Sequence, residues 1–147
     1  MTVAASTTVA EVMSRRLAVV SMDDTVKIAS ERFNQRGIHH LLVIEKGRLV
    51  GVVSDRDVLI NTSPFIGQPH GESDRDRATL KRRVHQIMSH KVKTIAPTAS
   101  VIDAATTLLS EKISCLPVVT DEGKPVGIVT IRGLLQWMVE HASVVTA

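Results

Sequence analysis

Gly51-Val52-Val53-Ser54-Asp55-Arg56-Asp57 and Gly127-Ile128-Val129-Thr130-Ile131-Arg132-Gly133 are one seven-residue stretch met twice, 76 positions apart. In each, a short apolar run stops at a hydroxyl residue, the type that closes the start of a helix by accepting from its first free N–H groups. The stretch therefore predicts a strand that turns directly into a helix. Outward from it the match continues, with Gly47, Val50 and Leu59 recurring as Gly123, Val126 and Leu135 in the same register. Upstream of a one-residue shift, at an offset of 75, Val9, Met13, Ser14, Val26, Ala29, Ile38, Leu41 and Val43 recur as Val84, Met88, Ser89, Val101, Ala104, Ile113, Leu116 and Val118. A register held this long is an internal repeat, and a repeat settles the fold class before any single element does.

Each copy reads as strand, helix, strand, strand, helix, an α+β pattern. A Val-Met-Ser segment, Ile-Met-Ser in the second copy, leads to a brief strand, predicted over residues 17–20 and 92–95, and then to a turn rich in Asp, Pro and Thr. Val26, Ala29 and Phe33, and in the second copy Val101, Ala104 and Leu108, fall at helical spacing on one face. Ser100 with Asp103 has the form of a capping box, and Gly37 suits a left-handed stop after the first helix. Hairpins are expected over 38–44 with 49–54 and over 115–120 with 126–130, since Lys46-Gly47 and the turn from Asp121 to Lys124 are short. The repeats run over 9–60 and 84–141. Residues 61–83 have no counterpart: Pro64, Gly67, Pro69 and Gly71 mark a loop, and the charged stretch from Asp74 on suits a solvated linker or a surface helix.

The composition narrows the function. At 147 residues with 44% hydrophobic and 22% charged residues, the chain is of ordinary globular make-up. One cysteine, Cys115, permits no internal disulfide and no thiolate zinc ribbon, which points to a reducing cytoplasm. The N-terminal stretch holds no apolar run of membrane-spanning or signal-peptide length. A net charge of +3 suits a phosphate-bearing partner or simple solubility, but two Phe, one Trp and no Tyr leave no series of rings on which bases could stack. Histidines stand at 39, 40, 70, 85, 90 and 141 without ligand spacing along a helix, so no metal site is expected.

The order of elements, with Val-Met-Ser or Ile-Met-Ser opening each copy and Gly51 to Asp57 closing the first hairpin, resembles a pair of CBS domains, the Bateman module, in its stand-alone bacterial form. The resemblance implies two copies packed by their sheets about a pseudo-twofold axis, with a cleft on each side for AMP, ADP, ATP or S-adenosylmethionine, and a homodimer formed through the CBS helices. No cofactor is required on that reading, and an unidentified protein partner would read the ligand state. The first copy carries a complete nucleoside signature: Ser54 joins the helix-start N–H groups toward a phosphate, and the Asp57 carboxylate accepts from ribose hydroxyls. By the resemblance, that main cleft is completed by Val92, Lys93, Thr94, Ile113, Ser114 and Cys115. The second copy has Gly133 where the first has Asp57. Its weaker cleft would combine Thr130, Arg132 and Gly133 with Leu17, Ala18, Val19, Ile38, His39 and His40.

Plainer roles stand beside each of these. Asp57 at the first turn of a helix interacts favourably with the helix dipole, and Ser54 serves as an N-cap. Gly51 is accounted for by hairpin geometry. His39 and His40 point to opposite faces of a strand, so at most one can lie in the core while the other faces a cleft or solvent. Cys115 reads as a small core residue, and Trp137 and Met138 as core or as interface anchors. Two other functions are nucleic-acid binding through Arg15, Arg16, Lys81, Arg82, Arg83, Lys91 and Lys93, and a purely structural dimerisation scaffold. No nucleophile, base and orienting group assemble into an enzyme.

Overall fold

The structure, a computed structural model, describes residues 7–35, 37–69 and 73–142. His70 and Gly71 of the linker lie outside the described residues. In chain order the α-helices and strands are α1 (Val9–Val12), β1 (Val19–Val20), α2 (Val26–Phe33), β2 (His40–Glu45), β3 (Arg48–Ser54), α3 (Asp55–Asn61), α4 (Asp74–Ala78), α5 (Val101–Ser110), β4 (Cys115–Val119), β5 (Pro125–Thr130) and α6 (Ile131–Glu140). Both strand-to-helix junctions predicted from the repeated stretch are present, β3 into α3 and β5 into α6, each without an intervening residue.

The chain forms two compact units. A central unit runs over Ala18–Val92; a terminal unit joins the segment ending at Leu17 to everything from Lys93 onward. The units of packing are therefore not the units of repetition. Val84, Ile87 and Met88, which open the second repeat, are buried in the central unit among Val26, Ala29, Leu41, Val43, Val53 and Val58 of the first. Val9, which opens the first repeat, is buried in the terminal unit among Val101, Ala104, Leu108, Leu116, Val118, Val129 and Leu134 of the second. Each repeat lends its opening arm to the core of the other. A fully buried valine contributes about 1.5–3 kcal/mol, so the arms are structural members and not tails.

The arms are fastened by backbone. In the central unit Val52 and Ser89 exchange both hydrogen bonds, at 3.2 and 2.9 Å, and in the terminal unit Ile128 and Ser14 do so at 2.9 Å each. This contact explains two glycines. A Cβ on Gly51 would lie 2.6 Å from Met88 Sδ and 3.0 Å from the Ser89 carbonyl oxygen, and a Cβ on Gly127 would strike Met13 Sδ. Neither glycine adopts a positive φ. Hairpin geometry, the reason expected for Gly51, is not the operative one; the arm methionine lies against the strand where the side chain is missing.

In the central unit β1 pairs parallel to β2 and β2 antiparallel to β3. Lys46 and Gly47 turn the hairpin with φ of 50° and 77°, the two positive values that a twist-matched two-residue loop requires. In the terminal unit β4 and β5 form the hairpin. The early strand expected over 92–95 is reduced there to a bridge at Ile95, whose N–H donates to the Pro117 carbonyl and whose own carbonyl accepts from the Val119 N–H. Two residues on, Pro97 has no N–H with which to extend the ladder.

Capping also departs from expectation. Ser100 accepts from the Asp103 N–H at 3.0 Å, half of the box predicted for α5. A full reciprocal box opens α3 instead. The linker is tied down in part: Ser63 Oγ donates to Asp76 at 2.6 Å, the Ser63 N–H donates to Thr79 Oγ1 at 3.1 Å, and Arg82 donates to Asn61 Oδ1 at 3.1 Å. The surface helix expected after Asp74 is α4, opened by Ser73 and Asp76.

Candidate functional site

The β3–α3 junction of the central unit gathers the polar groups that the repeat singled out. Ser54 is the N-cap of α3, and its Oγ accepts from the Asp57 N–H at 3.0 Å. The Asp57 carboxylate answers by accepting from the Ser54 N–H through Oδ2 at 2.8 Å. The box orients the carboxylate through one oxygen. Asn61, one turn on, donates to the Asp57 carbonyl at 2.7 Å and holds the short helix together.

Both histidines meet this junction. His40 pairs across the sheet with Ser54, and the Asp55 N–H donates to the His39 carbonyl at 3.1 Å. His39 Nδ1 lies 2.8 Å from Asp55 Oδ2 on an exposed surface, and that contact holds the Asp55 carboxyl below its ordinary range. His40 is turned inward and half-buried; burial lowers its pKa against the opposing pull of Asp55. Neither histidine is fully buried: His39 is exposed and His40, the first residue of β2, is half-buried. Ala18, Val19 and Ile38, assigned with them to the weaker cleft, lie in the same central unit, and Leu17 lies in the terminal one.

The β5–α6 junction of the terminal unit repeats the arrangement without the acid. Thr130 caps α6, accepting from the Gly133 N–H at 2.9 Å, and the Ile131 N–H donates to the Ser114 carbonyl at 3.1 Å. Thr130 pairs across the hairpin with Cys115. Burial pushes the Cys115 thiol up to about 11, which suits a packing residue and not a nucleophile. Lys93, assigned toward a phosphate, lies 3.6 Å from Glu111. Thr94, Ser114 and Arg132 are exposed, Ile113 is half-buried, and Val92 ends the central unit.

Arm exchange adds residues that the motif reading left out. Ser89 sits beside Val52, two residues before Ser54, and Ser14 sits beside Ile128, two residues before Thr130. Both belong to the recurring Met-Ser, so the repeat contained the signal; what it could not say was which copy each serine would join. Within the terminal unit Met13, Ser14, Thr130, Gly133, Trp137 and Glu140 line part of a cavity of about 220 Å³. Trp137 is half-buried and stacks on His141 at 4.7 Å between ring centres.

Among the described residues no cluster of His, Cys, Asp or Glu could hold a metal ion, and no helix is long and apolar enough to cross a membrane. Of the seven basic positions considered for nucleic acid, Arg82 and Arg83 donate to Asn61 and to the Asp23 carbonyl, Arg15 donates to the Ala10 carbonyl, and Lys93 faces Glu111.

Two CBS domains match the chain, over residues 9–61 and 84–140. The chain belongs to the CBS domain family. It is 31% identical over 134 residues to a CBS domain-containing protein of Dictyostelium discoideum, covering 90% of this chain and 91% of that one. The solved structure of CBSX2 in complex with AMP is 29% identical with a TM-score of 0.75, covering 91% of this CBS chain and 97% of the other. The CBS domain pair of protein MJ0100, in complex with 5′-methylthioadenosine and S-adenosyl-L-methionine, has a TM-score of 0.74 at 23% identity and covers 92% and 98%. That likeness speaks for the fold. CBS domain pairs are in general regulatory modules. Some CBS relatives are longer: the chain spans 46% of one Methanocaldococcus jannaschii protein.

Proposed function

We propose that this CBS chain is a regulatory module that senses an adenosine-containing ligand, AMP, ADP, ATP or S-adenosylmethionine, with Ser54 and Asp57 receiving the nucleoside. The observation that carries the reading is the oriented Asp57 carboxylate at the β3–α3 junction, in a chain matched along nearly its whole length by a relative in complex with AMP. One carboxylate oxygen is held by the Ser54 N–H, and the carboxylate retains further lone pairs for a ribose diol. Ser89 joins this set through the arm. Val92, Lys93, Thr94, Ile113, Ser114 and Cys115 are proposed to complete it. The module binds and does not catalyse, acts in the cytoplasm, and reports to a protein partner; a ligand shifts it only by its differential affinity for two states.

The test is a calorimetric titration of the four ligands into wild-type and Asp57→Ala protein. Binding that weakens about ten- to a hundred-fold in the variant is expected, the cost of one charge-assisted hydrogen bond. Absence of binding of all four at millimolar concentration overturns the reading.

A homodimer is proposed through the closing helices. Ile131, Leu135 and Val139 recur every fourth residue along α6 with exposures of 43, 57 and 78%, and Leu59 and Ile60 of α3 are 76 and 72% exposed. Such stripes are what an isologous helix contact covers. Light scattering behind gel filtration is expected to give twice the chain mass at micromolar protein, and the chain mass for Leu135→Glu/Val139→Glu. A wild-type monomer overturns it.

A further inference from the structure

We propose that Asn61 is a positioning residue for Asp57, and that Arg82, at the far end of the linker, sets the orientation in which Asn61 works. The inference rests on the adenosine reading above and deepens it, because it ties the nucleoside site to the segment that has no counterpart in the second repeat. α3 has seven residues, too few to hold its shape unaided. Asp57 is fixed in front by Ser54, whose Oγ accepts from the Asp57 N–H at 3.0 Å and whose N–H donates to the Asp57 carboxylate at 2.8 Å. Behind it, Asn61 Nδ2 donates to the Asp57 carbonyl at 2.7 Å.

An asparagine amide can present either end, and Arg82 decides which. Its guanidinium, which can only donate, bonds Asn61 Oδ1 at 3.1 Å and so leaves Nδ2 for the Asp57 carbonyl, which can only accept. Turning the amide over would set donor against donor and acceptor against acceptor. Asp57, Asn61 and Arg82 are all half-buried, where such bonds are stronger than in open water. Arg82 is anchored in turn: its carbonyl accepts from the Val26 N–H, at the start of α2, at 2.8 Å. A group 21 positions away in the chain thus bears on the main chain of Asp57 through a single intermediate.

The β5–α6 junction is built otherwise. Trp137 stands where the offset of 76 would put a second Asn61, and α6 runs on for ten residues in place of seven. An indole N–H donates and has no oxygen to accept from a guanidinium. The connection to the linker therefore belongs to the central unit. Its consequence is regulatory: whatever draws Arg82 away releases the Asn61 amide and weakens the nucleoside site, by about two- to thirty-fold for a coupling of ordinary size.

The experiment is calorimetric titration of AMP into the full chain as wild type, Asn61→Ala, Arg82→Ala, the double variant and Thr62→Ala, with the melting temperature of each. Thr62 is the comparison, since its Oγ1 donates to the Val58 carbonyl at 2.9 Å, at the same end of α3, without touching Asp57. Expected are a loss of about two- to thirty-fold in AMP affinity in each single variant, and no further loss in the double, because Arg82 acts through Asn61. Thr62→Ala is expected to lower the melting temperature and leave AMP affinity unchanged. Full affinity in Asn61→Ala or Arg82→Ala, additive losses in the double variant, or a Thr62→Ala as weak as Asn61→Ala overturn the inference and leave the adenosine reading standing. Should Asn61→Ala fail to fold, Arg82→Ala is set against Arg82→Lys, which keeps a cationic donor for Asn61. Recovery of affinity in the lysine variant supports the inference, and no recovery overturns it. A wild-type chain that binds no AMP, ADP, ATP or S-adenosylmethionine overturns both.

Discussion

Cys115 carries the most direct test of how the β4–β5 hairpin is buried. Its thiol stays protonated to about pH 11 because burial disfavours the thiolate. Reaction with a thiol-exchange reagent at pH 8 is expected to be far slower than for the same chain unfolded in denaturant; a rate equal to that of the unfolded chain would show the thiol to be solvated. The same burial has a stability sign. Above its ordinary value of 9.0 the unfolded chain loses the proton and the folded chain does not, so stability falls from there towards pH 11. His40 acts at the other end of the scale. Burial lowers its folded pKa below 6.5, so its share of stability is present above 6.5 and is lost as pH drops through the lower folded value. Melting temperature is expected to fall between pH 7 and pH 5, and His40→Gln to flatten that slope; an unchanged slope would assign it to other groups.

At the level of elements, the closest fit is the arm against the hairpin. Gly51→Ala places a methyl 2.6 Å from Met88 Sδ and 3.0 Å from the Ser89 carbonyl. The sulfur can swing aside, but the backbone oxygen is fixed by its bond to Val52. Thermal denaturation is expected to show a loss of about 1–3 kcal/mol, typical of overpacking, and shortening the arm with Met88→Ala is expected to recover only part of it. Complete recovery would mean that the methionine alone sets the limit. The elements show where sequence reasoning holds and where it stops. Both hairpins, both closing helices and the junction residues Ser54, Asp57 and Thr130 are legible, because period, turn chemistry and capping are all local. The strand at Ile95 is not, because a proline and one bridge decide it. Ser14 and Ser89 are visible as recurring residues but not as neighbours of the junctions. Their placement depends on which copy receives the arm, and a repeat is silent on exchange.

At the scale of the molecule, exchange makes a definite prediction about fragments. A piece spanning Ala18–Val92 keeps the arm residues Val84, Ile87 and Met88 with the core they complete. It is expected to unfold cooperatively in urea. A piece ending at residue 61 contains the whole first repeat and lacks that arm, and is expected to show no cooperative transition. If the shorter piece unfolds as sharply as the longer, the arm is dispensable and the repeat is the folding unit.

The exchanged arms also bear on the order of events at the ribosome. The central unit is continuous in the chain and has every residue it needs once Val92 has emerged. The terminal unit is closed by an early segment and a late one: Val9 is buried beside Leu134. At roughly 5–20 residues per second, Val9 waits on the order of 6–25 s for that neighbour. During this interval an apolar segment around Val9 is made but not yet sheltered, which makes it a natural client for a ribosome-bound chaperone.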